Sequence, residues 1–398
     1  MTITKNSLIS KLAVLSISLL LMSGPVINPA LPQIKESLNI SQSQTELLST
    51  IPNFAVIFFI SISSFIANKI GIKKTIVGGL ILAGIGGSLP LFIANYSAIL
   101  LSRFLLGAGL GLFNSLAVSL ISALYDGDTR ASLLGIRNST ESIGQAILTV
   151  IAGLLLTLGW KFSFAIYLLA FPILIFFLMF VPDIKESSKH TQIEKGKKEK
   201  LPALVYFFVL FAIVLVMNSY AITVRFPSMA AEINGLGYNS SIFLAIMPIL
   251  GIIAGFVFGF VNKVFGRKTV LVGIILNILV NLLIGFSNGN FTILLIGLFL
   301  SGIPNAFCFP YIYNSLGTII KSEKSLNLAT SLILIGCNIG GFISPMAMQF
   351  IQFISGSNKL AAPFPIFTIL LFALMIGIIV ADRKKLKTKE TTSNKIVS

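Results

Sequence analysis

Twelve apolar stretches, each long enough to cross a lipid bilayer, occupy almost the whole of this 398-residue chain. They lie near residues 11–31, 46–67, 75–94, 97–124, 132–157, 162–181, 202–224, 238–261, 269–287, 292–319, 326–352 and 361–381, giving spans 1 to 12. A helix needs about 20 apolar residues to cross a hydrocarbon core of about 30 Å, so each stretch reads as one spanning helix. Composition agrees: 11% of residues are charged, against about a quarter in soluble proteins, and the mean hydropathy is +0.95. The expected fold class is an all-α integral membrane protein with twelve transmembrane helices.

The chain also repeats itself. Residues 68–75 read NKIGIKKT and residues 262–269 read NKVFGRKT, an offset of 194. Leu31-Pro32 is echoed by Phe226-Pro227, and Met22 by Met217, both at an offset of 195. This divides the chain into two pseudo-symmetric six-helix bundles, residues 1–181 and 202–382. A polar cytoplasmic linker at 182–201 joins them, and a basic cytoplasmic tail follows at 383–398. Two six-span halves in tandem point to a secondary transporter.

Lys and Arg set the orientation. With both termini cytoplasmic, 23 of the 29 basic residues fall inside and four outside, leaving Arg103 and Arg137 within spans. The net charge of +16 is then positive-inside bias, with no nucleic-acid partner implied, and the basic tail is placed to touch anionic lipid. Cys308 and Cys337 lie in apolar spans and read as packing residues. The sole histidine, His190, is in the linker, and no cluster has metal-ligand spacing. No nucleophile–base pair or phosphate-cradling loop is present, so neither an enzyme nor an ATP-driven pump is expected, and no cofactor.

Charges inside membrane spans are costly and mark function. Glu141 is the one acidic residue well inside a span, about 14 Å above the inner boundary of span 5, and Arg103 sits about 9 Å down span 4 from outside. Their depths differ by about 7 Å, which predicts an Arg103–Glu141 contact. Arg137, Glu141, Gln145 and Thr149 follow one another at i+4 and form a polar stripe on span 5. Arg103, Gly107, Gly111 and Asn114 form a weaker row on span 4, either a cavity wall or a close-packing seam. In the second half, span 7 offers Asn218 and Tyr220. Span 10, with Pro304 and Pro310, offers Asn305, Phe309 and Tyr313 at i, i+4 and i+8 as a face for an apolar or aromatic substrate. Arg225 and Glu232 read as extracellular rim groups.

These features resemble the major facilitator superfamily over residues 10–382. The signature between spans 2 and 3 is matched by Asn68, Lys69, Gly71, Lys73 and Lys74, and its second copy by Asn262, Lys263, Gly266, Arg267 and Lys268. In the family this turn latches the cytoplasmic side of the two halves. The usual Asp is Asn68 here, which implies a weaker, hydrogen-bonded latch. Leu101 to Gly109 resembles the span-4 pattern whose arginine, Arg103 here, is implicated in proton coupling in the drug/proton antiporter branch. The antiporter motif of span 5 survives only as Gly153, the last residue of Leu148 to Gly153.

The excess of Lys over Arg, 23 to 6, with abundant Ile suggests a bacterial genome, and a tandem repeat can work as a monomer. The resemblance implies a multi-pass plasma-membrane transporter. It would export a small organic or amphipathic compound against proton entry, with Glu141, Arg103 and Arg137 coupling the proton. Gln145, Asn114, Asn218, Tyr220, Asn305, Phe309 and Tyr313 would contact the substrate. Two other readings remain open at this stage. One is an organic-anion carrier or facilitator using Arg103 and Arg137, and the other a non-transporting membrane sensor.

Overall fold

The computed structural model describes residues 7–182, 201–320 and 322–397, with side chains described except at 324 and 381–397. The expected linker therefore lies outside the described residues except for its two ends, as do the side chains of the basic tail. Among the described residues every regular element is helical. Span 2 is Gln42–Ile70, span 4 Tyr96–Leu124, span 5 Gly127–Leu156 and span 7 Ala203–Asn234. Span 11 is Glu323–Ser355, and span 12 is Pro363–Val397. Span 3 covers Ile72–Leu91, span 6 Trp160–Phe180 and span 10 Phe291–Ile319. A continuous apolar run, Ser241–Gly285, is 45 residues long. As one straight helix it would run about 67 Å, more than twice a bilayer core. It is divided at Gly266 into span 8, Ser241–Phe265, and span 9, Thr269–Gly285.

Local chemistry explains the breaks. Gly71 ends span 2 at φ +91° and Gly266 ends span 8 at φ +53°, conformations that a side chain resists. The two copies of the repeat thus make the same reversal with glycine displaced by one position. Span 1 is broken: Leu8–Leu20 and Gly24–Leu38 meet at 50°. Pro25, Pro29 and Pro32 remove backbone donors there, and residues 24–30 tighten to a 3-10 helix. Span 2 starts with a capping box, in which Ser41 Oγ accepts from Gln44 N–H and Gln44 Oε1 accepts from Ser41 N–H. Asn95 and Asn290 cap spans 4 and 10 in the same way from their side chains.

Buried apolar side chains gather in three clusters, one from residues 13–181 with Val224 and two from residues 205–378. Within the first half, small residues bring helices close. A Cβ on Gly107 would strike the backbone of Pro52, and one on Gly109 would lie 2.5 Å from Gly79 O. The span-4 glycines are therefore a packing seam against spans 2 and 3, and of that row only Asn114 reaches the cavity described below.

The two turns of the repeat define one face of the bundle, here the basic face; the caps at Ser41, Asn95 and Asn290 lie on the opposite, far face. Between the halves, span 5 packs on span 8, and span 2 on span 11. The cross-half bonds lie on the far side or at mid-depth. Asn28 donates to Thr223 O, Gln42 to Ser228, Ser43 to Gln349, Asn239 to Gly153 O and Tyr220 to Asn53. The Phe54 and Phe342 rings meet across the halves, tilted by 33° with centroids 4.8 Å apart. Asn28 and Thr223 are separated by the repeat offset of 195, which puts their contact on the pseudo-twofold axis. At the basic face Asn68, Lys69, Asn262, Lys263, Arg267 and Lys268 are exposed. The conformation is closed at the far face and open at the basic one.

Candidate functional site

A cavity of about 830 Å³ opens between the halves, toward the basic face. Span 5 contributes Asn138, Ser139, Glu141, Ser142, Gln145 and Thr149, along the polar stripe that its i+4 spacing predicts. Asn28 of span 1, Asn53 of span 2 and Asn114 of span 4 complete the polar wall of the first half. Facing them are Ser219, Tyr220 and Thr223 of span 7, Asn305, Phe309 and Tyr313 of span 10, and Asn338 of span 11. Phe309 and Tyr313 stack at 6.3 Å between centroids.

Glu141 is the only charged residue among those lining the cavity. Arg137 lies behind it, one turn away. Its Nη2 is 2.8 Å from Glu141 Oε1 and 3.1 Å from Asn114 Oδ1. Arg137 Nε has no hydrogen-bond partner, and Glu141 Oε1 has only this ion pair. Asn53 Nδ2 and Asn305 Oδ1 are also buried without one. Their neighbouring atoms are engaged: Asn53 Oδ1 accepts from Tyr220, and Asn305 Nδ2 donates to Ser219. One acceptor and one donor, from opposite halves, are thus left to a ligand or to water, beside a carboxylate held only by Arg137.

The predicted Arg103–Glu141 contact does not form. Span 5 runs from Gly127 to Leu156, 30 residues or about 45 Å, so depths counted from opposite ends of a core of about 30 Å do not compare. Measured from the far ends of their helices, Arg103 lies about 10 Å deep and Glu141 about 22 Å. A difference of about 12 Å exceeds an arginine's reach. Arg103 is instead 0% exposed and bonded to backbone and phenol. Its Nε donates to Leu48 O, its Nη1 to Tyr167 OH and its Nη2 to Gly24 O, while Tyr167 donates to Ser23 O. Arg103 and Tyr167 therefore satisfy the carbonyls freed at the break in span 1. Arg103 shapes the cavity through that break without lining it.

Three further readings are corrected. Asn218 is fully buried, donates to Asn277 Oδ1 inside the second half and does not line the cavity. Cys308 is a packing residue, but Cys337 lines the cavity. Arg225 is no rim group. It is 1% exposed and pairs with Glu46, which is 0% exposed, at 2.8 Å and 3.2 Å, while Leu360 O accepts a third bond. Span 2 starts at Gln42, which carries Glu46 one turn inside the helix, and the pair joins residues 179 apart. No local periodicity could have joined the two across the halves, although Glu46, Thr50 and Asn53 form a polar row on span 2. Asn28 had a signal, because its repeat mate Thr223 is also polar.

Gly153, the remnant of the span-5 motif, sits at the seal between the halves. A Cβ there would collide with Ser241 of span 8. Of the basic turns, Lys73 is tied to its own half, donating to Val181 O at 2.7 Å, and Lys69 lies over the Phe65 ring.

Two pseudo-symmetric helical halves, sealed at one face around a polar cavity within an apolar bundle, are the architecture of a multi-pass membrane transporter. The sequence model of the Major Facilitator Superfamily matches residues 13–269 and 241–397. The chain belongs to that family, and it is a transporter, not an enzyme. It is 25% identical to a hexuronate transporter of Bacillus subtilis over 264 residues, covering 61% of this chain and 62% of that protein. It is 24% identical to a TsgA homolog of Buchnera aphidicola over 303 residues, covering 75% and 77%. The fold matches the nucleoside transporter NupG with a TM-score of 0.71 at 14% identity, over 94% of this chain and 99% of that one. It also matches a D-xylose-proton symporter at 0.71 and 14%, over 92% and 96%.

Proposed function

We propose that the protein is a proton-coupled secondary transporter for a small amphipathic organic solute, neutral or cationic, bearing hydroxyl, amide or amine donors. The observation that carries this reading is the convergence on one cavity of the Glu141 carboxylate, held only by its Arg137 ion pair, with two polar atoms that lack a hydrogen-bond partner, Asn53 Nδ2 and Asn305 Oδ1. The carboxylate and Asn305 Oδ1 favour a ligand with at least two donors, and the Tyr220, Phe309 and Tyr313 rings favour an apolar face beside them. An organic anion fits poorly. Arg103 is fully committed elsewhere, and Arg137 stands behind a carboxylate. Proton binding at Glu141 competes with its pairing to Arg137, which keeps Asn114 as an alternative partner. Outward transport against proton entry, driven by the gradient without ATP, is carried over from the resemblance. One chain holds both walls of the cavity, which supports a working monomer.

We place the basic face and both termini in the cytoplasm, by the positive-inside rule. The charge pattern supports a latch there. Asp128 and Glu323 occupy the first turns of spans 5 and 11, at the repeat offset of 195. Those helices pack at their far ends on spans 8 and 2. Closing the basic face would swing Asp128 toward Arg267 and Lys268, and Glu323 toward Lys69 and Lys74. Helix N-termini favour such acids in either state.

The test is substrate-triggered proton efflux from acidified inverted vesicles, comparing the natural chain with Glu141→Gln over a panel of amphipathic cations, neutral solutes and organic anions. Efflux triggered by a neutral or cationic solute and lost in the variant is expected. Efflux that survives the substitution removes Glu141 from the coupling path. Movement of labelled anions alone, with no protons, would overturn the reading.

A further inference from the structure

A second cavity, of about 270 Å³, lies away from the transport path, inside the second half at the basic face. Its wall is the turn between spans 8 and 9 and the end of span 10. Asn262, Arg267, Thr269, Asn314, Ser315 and Thr318 give it polar groups over a floor of Phe258 and Val270. Among the described residues no carboxylate lines it. Thr269 Oγ1 donates to Gly266 O at 2.8 Å and lies 3.4 Å from Asn262 Oδ1, and the N–H groups of the Asn262 amide remain to donate. Arg267 makes no hydrogen bond or ion pair among the described residues.

The repeat shows why a cation is left over. Arg267 is the counterpart of Lys73 at the offset of 194. Lys73 caps the end of span 6, where the helix stops at Phe180 and Val181 offers its carbonyl. The corresponding stretch of span 12, near residues 375–376, is helix interior, because that helix continues to Val397. Its carbonyls are bonded along the helix, and no C-terminus is presented to Arg267. A guanidinium with five donors, flanked by an amide and hydroxyls and free of competing acid, matches the oxygens of a phosphate group.

We propose that this cavity binds a phosphate group, carried either by an anionic lipid headgroup or by a soluble phosphate, through Arg267 with Asn262 and Asn314. The site is independent of the transport cavity and of the coupling role of Glu141.

The experiment uses the purified full-length chain in detergent, titrated separately with phosphatidylglycerol, with monoglucosyl diacylglycerol, which has no phosphate, and with inorganic phosphate. Binding is read by intact-complex mass spectrometry and by thermal unfolding. Phosphatidylglycerol is expected to bind more tightly than the glycolipid, with Arg267→Gln weakening it about tenfold and Lys74→Gln, an equal charge change outside the cavity, leaving it unchanged. Inorganic phosphate binding with the same Arg267 dependence assigns the site to a soluble anion; its absence assigns it to the headgroup. Equal losses in both variants would mean diffuse attraction to a basic surface and overturn the proposal. So would unchanged affinity in Arg267→Gln.

Discussion

Removing the Glu46 carboxylate should open the far face. Glu46 and Arg225 are 0% and 1% exposed, and Arg225 reaches both carboxylate oxygens across the boundary between the halves. Glu46→Ala leaves a guanidinium buried with Leu360 O and Gln352 as its remaining partners. Breaking a buried ion pair by deleting one member costs about 3–5 kcal/mol, because the other charge stays dehydrated. That cost applies only while the far face is closed. When the halves part, Arg225 meets water and the penalty lapses. The substitution therefore penalises one conformer, and its upper effect on the closed-to-open ratio is about 150- to 5,000-fold. Spin labels at the exposed positions Ser37 and Ser355, one on each half, would report the change as a longer far-face distance population. The exchanged pair, Glu46→Arg with Arg225→Glu, should recover part of the closed population. A distance distribution unchanged in Glu46→Ala, with only a fall in thermal stability, would show that the pair supports packing without holding the gate, and would refute the reasoning.

Other expectations follow from single contacts. Arg103→Lys gives up the fork that reaches Leu48 O, Tyr167 and Gly24 O at once, so it should lower stability by roughly 3 kcal/mol, with proton coupling per folded molecule retained; lost coupling at unchanged thermal stability would restore Arg103 to the proton path. Cys337 lines the cavity and Cys308 is fully buried, so a membrane-permeant maleimide should modify Cys337 first, and a transported solute should slow it; equal rates at the two thiols would contradict the cavity geometry. Both amide atoms of Asn281 are buried without a partner, so Asn281→Leu should be neutral or stabilising by about 1 kcal/mol in thermal unfolding. A marked loss there would mean that the amide holds ordered water.

The fold was legible because apolar length and a repeated turn are properties of local sequence. NKIGIKKT and NKVFGRKT announce two halves even though glycine shifts by one position between them. The Gln145 and Glu141 wall was legible for the same reason, since i+4 spacing on one helix needs no knowledge of its neighbours. Arg103 was misplaced by arithmetic on helix depth: Glu141 was counted up from the inner end and Arg103 down from the outer end of a core of about 30 Å, whereas span 5 is 30 residues, about 45 Å, long. Glu46–Arg225 was hidden for a different reason. It joins helices of opposite halves, and the polar row Gln42, Glu46, Thr50 and Asn53 on span 2 does not name the partner it meets.

Those two charges and the pair at Glu141 divide the work in a way that composition alone does not reveal. Arg103 is satisfied entirely within the first half, so movement between the halves leaves its bonds intact. Arg137 and Glu141 lie on one helix, so a rigid rocking of that half cannot separate them either; only a proton or a solute arriving from the cavity changes their balance. Glu46 and Arg225 must part whenever the far face opens. A transporter couples chemistry to movement by making one sensitive to the other. In the proposed cycle Glu141 responds to what occupies the cavity, and Glu46–Arg225 sets the cost of leaving this conformation. Asn53 connects the two: it lies two turns below Glu46 on span 2, bonds Tyr220 across the halves, and keeps an unpaired amide group beside the cavity. A solute that engages Asn53 bears directly on the contact that must break before the far face opens, and this is the physical route by which cargo can influence the gate.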